Sequence, residues 1–296
     1  MNKKTLAKVL SVVLALVLGL TALWACGGND EDGDAPVEPA AQAVKVIDIA
    51  LTDEEYAFGV DKAQPELLEQ VNAFIAEIKA NGKFDEICNN YFGDGTPVAV
   101  KSAQLDASKD QLVVATNAAF EPFEYTKGED YYGIDMEIAA LLAEKLGKEL
   151  VINNMDFDSV CLSVGQHKCD IAMAGLTVSE DRKEYVTFST SYYTANQKLI
   201  VKGDDTTFDA CKTTEDVEAI LKSLDKTTKI GYQNGTTGSL YVQGDADWGF
   251  DGYDVEGKGY GSGSLAVQDL INGNIKYVVI DSDPATFIVE AINAVA

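Results

Sequence analysis

Basic side chains and histidine are scarce in this chain, and both scarcities bear on its function. The 296 residues contain 23 Lys and Arg against 48 Asp and Glu, which gives a formal net charge of -25. A field of this sign repels nucleic acid phosphates, so we expect no nucleic acid partner. The only histidine, His167, leaves little for a multi-histidine metal site or histidine-based catalysis, and we expect neither a metal nor a cofactor.

A basic start and an apolar run mark the beginning of the chain. Three lysines lie within the first eight residues, and residues 9–20 carry no charge. Leu23-Trp24-Ala25-Cys26 then resembles a bacterial lipobox. A transmembrane helix is the alternative, but the run is short of the roughly 20 residues that a span requires. The pattern therefore predicts a signal peptide over residues 1–25 and lipidation at Cys26.

Residues 26–43 are acidic and show no apolar period, which predicts a flexible tether behind the lipid anchor. The mature protein would then be exported and held on the extracellular face of the cell membrane. Export permits disulfides among Cys88, Cys161, Cys169 and Cys211. Cys161 and Cys169 would be ~12 Å apart in a continuous helix, too far to pair. A helix end at Gly165 would let them approach, so their pairing stays open.

Strands and helices alternate from residue 44 onward. Residues 65–80 place apolar side chains on one helical face and begin with Pro65. Short apolar runs such as 112–116 and 277–280 are typical of buried strands. This alternation indicates βαβ units and largely parallel sheets, and two such series predict two α/β lobes.

Arg182 follows the end of a predicted strand, in the stretch AGLTVSEDR. Open α/β sheets bind ligands beyond the carboxyl ends of their strands, and a guanidinium fits a carboxylate with two hydrogen bonds. Ser179 is a candidate helix N-cap there. The alternative is a surface arginine paired with Glu180 or Asp181, which the remaining motifs disfavour.

Four further stretches place polar or aromatic residues after strands or in glycine-containing turns. Singly, Phe120 and Phe157 are expected in a core, and Asp281 is as well suited to a helix N-cap as to a ligand site. Jointly, at strand ends, they favour a ligand site. The stretches are ATNAAFEPFEY (115–125), MDFDSV (155–160), GYQNGTTGS (231–239) and VVIDSDPA (278–285).

These stretches together resemble the extracellular solute-binding proteins, family 3, of polar amino acid ABC transporters, whose fold also forms the ligand core of ionotropic glutamate receptors. The resemblance extends from about residue 44 to the end of the chain. It implies an α/β, two-lobed, periplasmic-binding-protein-like type II fold with a central cleft.

The resemblance also implies how the ligand backbone is held. Arg182 would bind the α-carboxylate, with backbone N–H groups of Thr177 and Thr237. Asp281 would bind the α-ammonium, with the carbonyl of Gly175 and the hydroxyl of Thr177. A desolvated zwitterion requires such a cation, an anion and satisfied hydrogen bonds.

The ligand side chain would, by the same resemblance, lie between Phe120 and Phe157. Its pocket would be lined by Asn117, Ala174, Gln233 and Thr236. No spare basic residue lies in these motifs, which disfavours an acidic ligand, and Asn117 stands where cation-binding relatives often have an acid. We therefore expect a neutral polar amino acid.

The order of the motifs departs from that of the family. The closing part of the family pattern, a helix pair followed by a terminal aromatic residue, occupies residues 51–93 here. We therefore expect a circular permutation, in which residues 94–110 join the old ends. Lobe 1 would comprise residues 53–203, and lobe 2 would comprise 44–52 and 204–296.

The sequence thus predicts a monomeric receptor that closes about crossings near residues 52–56 and 201–204 and delivers its amino acid to a membrane permease. Two rival classes are a dehydratase-type enzyme and a sensor module. The enzyme needs a carboxylate in the cleft to act as acid or base, for which Glu121 and Glu124 are the candidates. No kinase or transmembrane domain follows the binding region in this sequence, which disfavours the sensor.

Overall fold

Two five-stranded sheets with helices packed on them organise residues 42–295, which are the residues described by this computed structural model. The predicted signal peptide, Cys26 and nearly all of the tether lie outside these residues. No helix among residues 42–295 is long and apolar enough to cross a bilayer. The strands are β1 (Val44–Ile47), β2 (Glu54–Tyr56), β3 (Gly59–Asp61), β4 (Gln111–Thr116), β5 (Ala119–Phe120), β6 (Glu124–Lys127), β7 (Asp130–Tyr132), β8 (Glu149–Asn154), β9 (Ile171–Ala172), β10 (Val186–Phe188), β11 (Tyr193–Ala195), β12 (Gln197–Lys202), β13 (Lys229–Gln233), β14 (Glu256–Tyr260) and β15 (Tyr277–Asp281). The helices are α1 (Pro65–Ala80), α2 (Lys83–Phe92), α3 (Ile134–Leu146), α4 (Phe157–Gly165), α5 (Glu180–Lys183), α6 (Thr214–Lys222), α7 (Thr237–Gln243), α8 (Gly263–Ile271) and α9 (Ser282–Asn293).

Each large sheet is mixed rather than wholly parallel. Sheet I has the order β10-β3-β9-β4-β8, and sheet II has the order β1-β12-β15-β13-β14. Strand β4 runs parallel to β8 and β9, and β13 runs parallel to β14 and β15. The antiparallel strands β3, β12 and β1 extend these parallel centres. The α/β class and the type II architecture expected from the sequence are confirmed, with more antiparallel pairing than the alternation suggested.

The chain crosses between the sheets twice, through an antiparallel ribbon of β2 and β11 in which Tyr56 pairs with Tyr193. The first crossing lies at residues 52–56, as the sequence predicted. The second crossing, expected at 201–204, is wrong, because β12 (197–202) already pairs with β1 and β15 in sheet II. The polar residues after 202 form a turn and not a crossing. The division into lobes stays a prediction, with β12 on the side of sheet II.

Local signals explain where the main helices begin and end. Pro65 opens α1, whose buried face includes Val71 and Ile75. Gly147 ends α3 with φ 69°, a left-handed conformation that glycine adopts without strain. Thr213 caps α6, in a capping box with Asp216. These helices cover the sheets, so that strand β15 is buried along its whole length.

Residues 94–110 connect α2 to β4 across the surface beside sheet I. The buried carboxylate of Glu137 accepts hydrogen bonds from the Val98 N–H at 3.0 Å and from the Tyr91 hydroxyl at 2.6 Å. Backbone hydrogen bonds also join Val100 to Tyr131 in both directions. The connection is therefore fastened at several points and is not a free loop.

Residues 43–44 and 293 are neighbours. The side-chain amide of Asn293 donates to the Val44 carbonyl at 2.9 Å, and its oxygen accepts from the Ala43 N–H at 3.0 Å. Strand β1 thereby extends the edge of sheet II, as expected, although it ends at Ile47 rather than near Leu51. A chain that joined residue 293 to residue 44 directly would need little rearrangement.

All four cysteines in the described part of the chain are free, so the pairing of Cys161 with Cys169 that the sequence left open is not made. Both side chains are buried in the cluster that packs α4 on sheet I. Burial raises the pKa of the Cys161 thiol, because ionisation is unfavourable in apolar surroundings. These cysteines serve as core residues here.

The circular permutation stays a prediction, and the neighbouring positions of residues 44 and 293 allow a test. The test is a reordered chain that begins at residue 111, runs from residue 295 directly into residue 44 and ends at residue 110. We expect this chain to fold, with unchanged circular dichroism and ligand affinity. It keeps every strand intact and opens the chain only at an exposed surface position. A control opened inside the buried strand β13 should not fold. Misfolding of the first chain, with the original sound, would contradict the permutation.

Candidate functional site

A small, nearly filled cavity lies between the two sheets, and predicted site residues line it. They come from the ends of strands and the starts of helices on both sides, as expected for a ligand site at strand ends. The lining residues are Phe120, Phe157, Gly175, Thr177, Arg182, Gln233, Thr236, Thr237 and Asp281. The structure thus brings together nine of the eleven residues that the sequence singled out.

Arg182 is held by its own helix and reaches across the cavity. The Ser179 hydroxyl accepts from the Arg182 N–H at 3.2 Å and caps α5. The guanidinium donates to the carbonyl of Thr177 at 2.7 Å and to that of Gly235, after β13, at 3.0 Å. It also lies 5.2 Å from the ring centroid of Phe157, within range of a cation–π contact.

The surface ion pair considered for Arg182 is not formed. Glu180 pairs with Lys183 instead, at 2.6 Å. Within residues 42–295, Arg182 has no acidic side chain within 4 Å. Because a guanidinium carries five N–H donors, donors remain for an anion in the cavity.

Asp281 ends strand β15 and is 4% exposed. It precedes α9 but makes no side-chain cap hydrogen bond; instead it accepts from the Tyr56 hydroxyl at 2.5 Å. Burial, and next the negative charge of Glu54, raise the pKa of Asp281 to about 7. A carboxyl in this position is stabilised as an anion by a cation that enters the cavity.

Thr177 and Gly175 connect the cavity to buried acids. The Thr177 hydroxyl donates to Glu54 at 2.7 Å and accepts from the Thr237 hydroxyl at 3.3 Å. The Gly175 N–H donates to Asp135 at 3.0 Å. Gly175 has φ 54°, and a Cβ there would lie 2.9 Å from the Phe120 ring, so only glycine fits this turn.

Amides close the end of the cavity where the sequence predicts the ligand side chain. Gln233 donates to the Asn117 carbonyl oxygen at 2.9 Å, and Asn117 donates to the Met155 carbonyl at 2.7 Å. The other oxygen of this pair, Gln233 Oε1, is buried without a hydrogen-bond partner. Asn117 therefore stands behind Gln233, and Ala174 is buried in the core beside α4 instead of lining the cavity.

The sequence analysis missed Glu54, Tyr56 and Asp135 as parts of this site. All three are buried, and each makes a hydrogen bond to a cavity residue or to Tyr192. The signal for the first two was the alternation in Glu54–Tyr56, where the middle residue Glu55 is exposed. An acid that faces inward on a strand needs an explanation.

The two acids proposed for an enzyme do not line the cavity. Glu121 is exposed. Glu124 is fully buried, and neither of its carboxyl oxygens has a hydrogen-bond partner. Burial, followed by the charges of Asp135 and Asp281, raises the pKa of Glu124 well above its ordinary value. Burial at the start of β6 therefore favours the neutral form of Glu124.

This buried acid predicts a pH-dependent stability. A carboxyl whose pKa is raised by folding retains a proton that the unfolded chain releases, so stability is lost as pH rises above the unfolded value. We expect the free energy of unfolding of Glu124→Gln, taken relative to that of the unsubstituted protein, to increase by about 1 kcal/mol or more from pH 5 to pH 8. Urea unfolding at both pH values measures this gain. The exposed Glu129→Gln is the matched control, and an equal response in both variants would contradict the assignment.

Comparison with known proteins agrees with this geometry. Residues 112–243 match the family model of bacterial extracellular solute-binding proteins, family 3. The arginine-binding extracellular protein ArtP of Bacillus subtilis is 37% identical over 99 residues, which are 33% of this chain and 39% of that protein. The chain therefore spans about two fifths of the length of that curated relative.

Two solved structures are similar over 62% of this chain and 74% of their own. One is the ancestral amino acid-binding protein AncCDT-1, described as a precursor of cyclohexadienyl dehydratase, with 28% identity and a TM-score of 0.52. The other is an ancestral arginine-binding protein bound to glutamine, with 32% identity and a TM-score of 0.51. These scores support a shared architecture for the aligned part.

Proposed function

Since the chain belongs to the bacterial extracellular solute-binding proteins of family 3, we propose that it captures a free L-amino acid in the cavity and delivers it to an ABC transporter permease. One observation carries this proposal: Arg182 and Asp281 line the same small cavity and form no ion pair with each other. An amino acid zwitterion supplies the anion that Arg182 needs and the cation that Asp281 needs.

Contacts across the cleft support capture by closure. Arg182 donates to the Gly235 carbonyl, Gln233 donates to Asn117, and Thr237 donates to Thr177. Each contact joins residues near sheet I to residues near sheet II. Within residues 42–295 the chain crosses between the sheets through the β2–β11 ribbon, so rotation about that ribbon would break these contacts together and open the site.

The residues that line the cavity favour a ligand with a neutral polar side chain. Asp281 is the only acid among the lining residues, and in the proposed mode it is engaged by the ligand ammonium. Gln233 Oε1, buried and without a partner, would accept an N–H from a ligand amide. Arginine, named for one relative, and glutamine, bound in one similar structure, are both included in the ligand panel below.

A binding protein, with no reaction at the site, agrees best with the positions of the acids. The two candidates for the acid or base of the dehydratase alternative, Glu121 and Glu124, lie outside the cavity lining. The solved neighbour AncCDT-1 is itself described as an amino acid-binding protein. Turnover of a prephenate-like substrate by this chain would favour the enzyme.

Substitutions at the two charged residues test the proposed function. Removing one partner of a buried pair costs about 3–5 kcal/mol, and each ~1.4 kcal/mol is tenfold in affinity. We expect Arg182→Ala and Asp281→Ala each to weaken binding by about a hundredfold or more for every ligand of a twenty-amino-acid calorimetric panel. Gln233→Ala should instead change the order of preference among ligands. Wild-type affinity in both charge variants, with the fold intact by circular dichroism, would place the site elsewhere.

Lipidation at Cys26 is the proposed means of attachment, and the protein is proposed to act as a monomer at the outer face of the membrane. A labelled fatty acid should enter the wild-type protein and not the Cys26→Ser variant, because the thiol is the acylated group. The variant should also accumulate as unprocessed precursor or leave the membrane fraction. Equal labelling of both proteins would contradict the assignment.

A further inference from the structure

The carboxylate of Glu54 lies directly behind the ligand-facing residues and is 4% exposed. Three neutral groups donate to it: the hydroxyls of Thr52 at 2.5 Å and Thr177 at 2.7 Å, and the amide of Gln197 at 3.0 Å. None of the ion pairs formed by residues 42–295 includes Glu54 or Asp281. Two buried acids therefore lie close to one site without a basic side chain to neutralise them, which is costly in an empty site.

The hydrogen bond from Thr177 to Glu54 fixes the direction of the Thr177 hydroxyl. A hydroxyl has one donor hydrogen and two acceptor positions. The hydrogen points to Glu54, and the Thr237 hydroxyl occupies one acceptor position at 3.3 Å. One lone pair remains, and Thr177 lines the cavity. An acceptor held in this way suits a ligand N–H or O–H donor and not a carboxylate or carbonyl oxygen, so the charge of Glu54 must distinguish an ammonium from a hydroxyl.

We propose that Glu54 is a positioning residue for the ligand ammonium: it orients the Thr177 hydroxyl as an acceptor, and its negative charge makes the site select a cationic α-substituent. This inference rests on the proposed function, in which an amino acid occupies the cavity. It assigns Glu54 a role in selecting L-amino acids over the corresponding 2-hydroxy acids, whose uncharged hydroxyl gains little from two nearby carboxylates.

Glu54 belongs to the β2–β11 ribbon that joins the lobes, so the same residue links ligand selection to closure of the lobes. Glu54 lies on β2 and reaches Gln197 at the start of β12, Thr177 after β9 and, through its charge, Asp281 at the end of β15. A ligand ammonium between Thr177 and Asp281 would offset the repulsion of the two acids. The same cation would thereby stabilise the strands about which the lobes turn.

The charged and titratable groups around Asp281 determine how the ligand affinity should change with pH when Glu54 is substituted. They are Glu54 and Tyr56 on β2, Glu124 on β6 and Arg182 on α5, which shares the cavity. Ammonium binding needs ionised Asp281, so affinity falls as pH drops below the pKa of Asp281 in the ligand-free protein. Removing the charge of Glu54 removes one cause of the raised pKa and should move that fall to lower pH.

The decisive variant is Glu54→Gln, which keeps the size of the side chain, with Glu55→Gln as matched control on the exposed side of the same strand. Calorimetry with the best L-amino acid of the panel and its 2-hydroxy acid, from pH 5 to pH 8, gives affinity and selectivity. We expect Glu54→Gln to weaken amino acid binding about tenfold or more at pH 8. The ratio of the affinity for the amino acid to that for the 2-hydroxy acid should decrease. The pH at which half of the amino acid affinity is lost should move down by about one unit. Glu55→Gln should behave as wild type.

A second comparison separates positioning from a role in the fold alone. Thr177→Val removes the hydroxyl, so the effects of Glu54→Gln and Thr177→Val should be less than additive in the double variant. Additive effects with an unmoved pH midpoint, or wild-type selectivity in Glu54→Gln, would overturn the proposal. If wild type binds no amino acid, the proposed function fails instead. Carboxyl-carbon NMR titration of the ligand-free proteins then still decides whether Glu54 raises the pKa of Asp281.

Discussion

The burial of negative charge without a basic partner is the constraint around which this cleft is built. Asp281 and Glu54 are each 4% exposed, and their hydrogen bonds come from hydroxyls and amides. Such groups lessen the desolvation penalty but do not remove it. The arrangement therefore favours a transient cation, while Arg182 opposite retains donors for an anion. The proposed recognition of a zwitterion depends on leaving both charges without an ion-pair partner in one small cavity.

Most of the fold was accessible from local sequence signals. Pro65 and the apolar face behind it gave α1 its observed bounds, and Gly147 stopped α3 in a left-handed turn. Arg182 and Asp281 could be assigned to one site because both follow strands, and α/β sheets bring the ends of strands that are distant in sequence to one edge. The second crossing was misplaced because an apolar strand such as β12 can join either sheet, and its partners β1 and β15 are far away in sequence.

Glu54 was not predicted as a site residue for a related reason. Strand β2 has three residues, too few for a periodic signal, and its partner β11 follows about 140 residues later. The lining of the cavity around Gln233 was also only partly predictable. Gln233 lines it, but Asn117 stands behind Gln233, and Ala174 packs in the core. Such differences of one layer depend on packing, which a single sequence does not encode position by position.

Tyr56 gives the cleft its own optical reporter. Its hydroxyl is bonded to Asp281, and its ring lies 5.2 Å from Phe123 and 6.1 Å from Tyr193 between centroids. The sequence has two tryptophans; Trp24 lies before the described residues, and Trp248 stacks on Phe250 in the segment that follows α7. Indole emission from Trp248 would therefore record events on that surface segment. Occupancy of the cleft should be followed instead in the tyrosine region of the near-ultraviolet spectrum, where a phenol that changes its hydrogen-bond partner shifts its absorption.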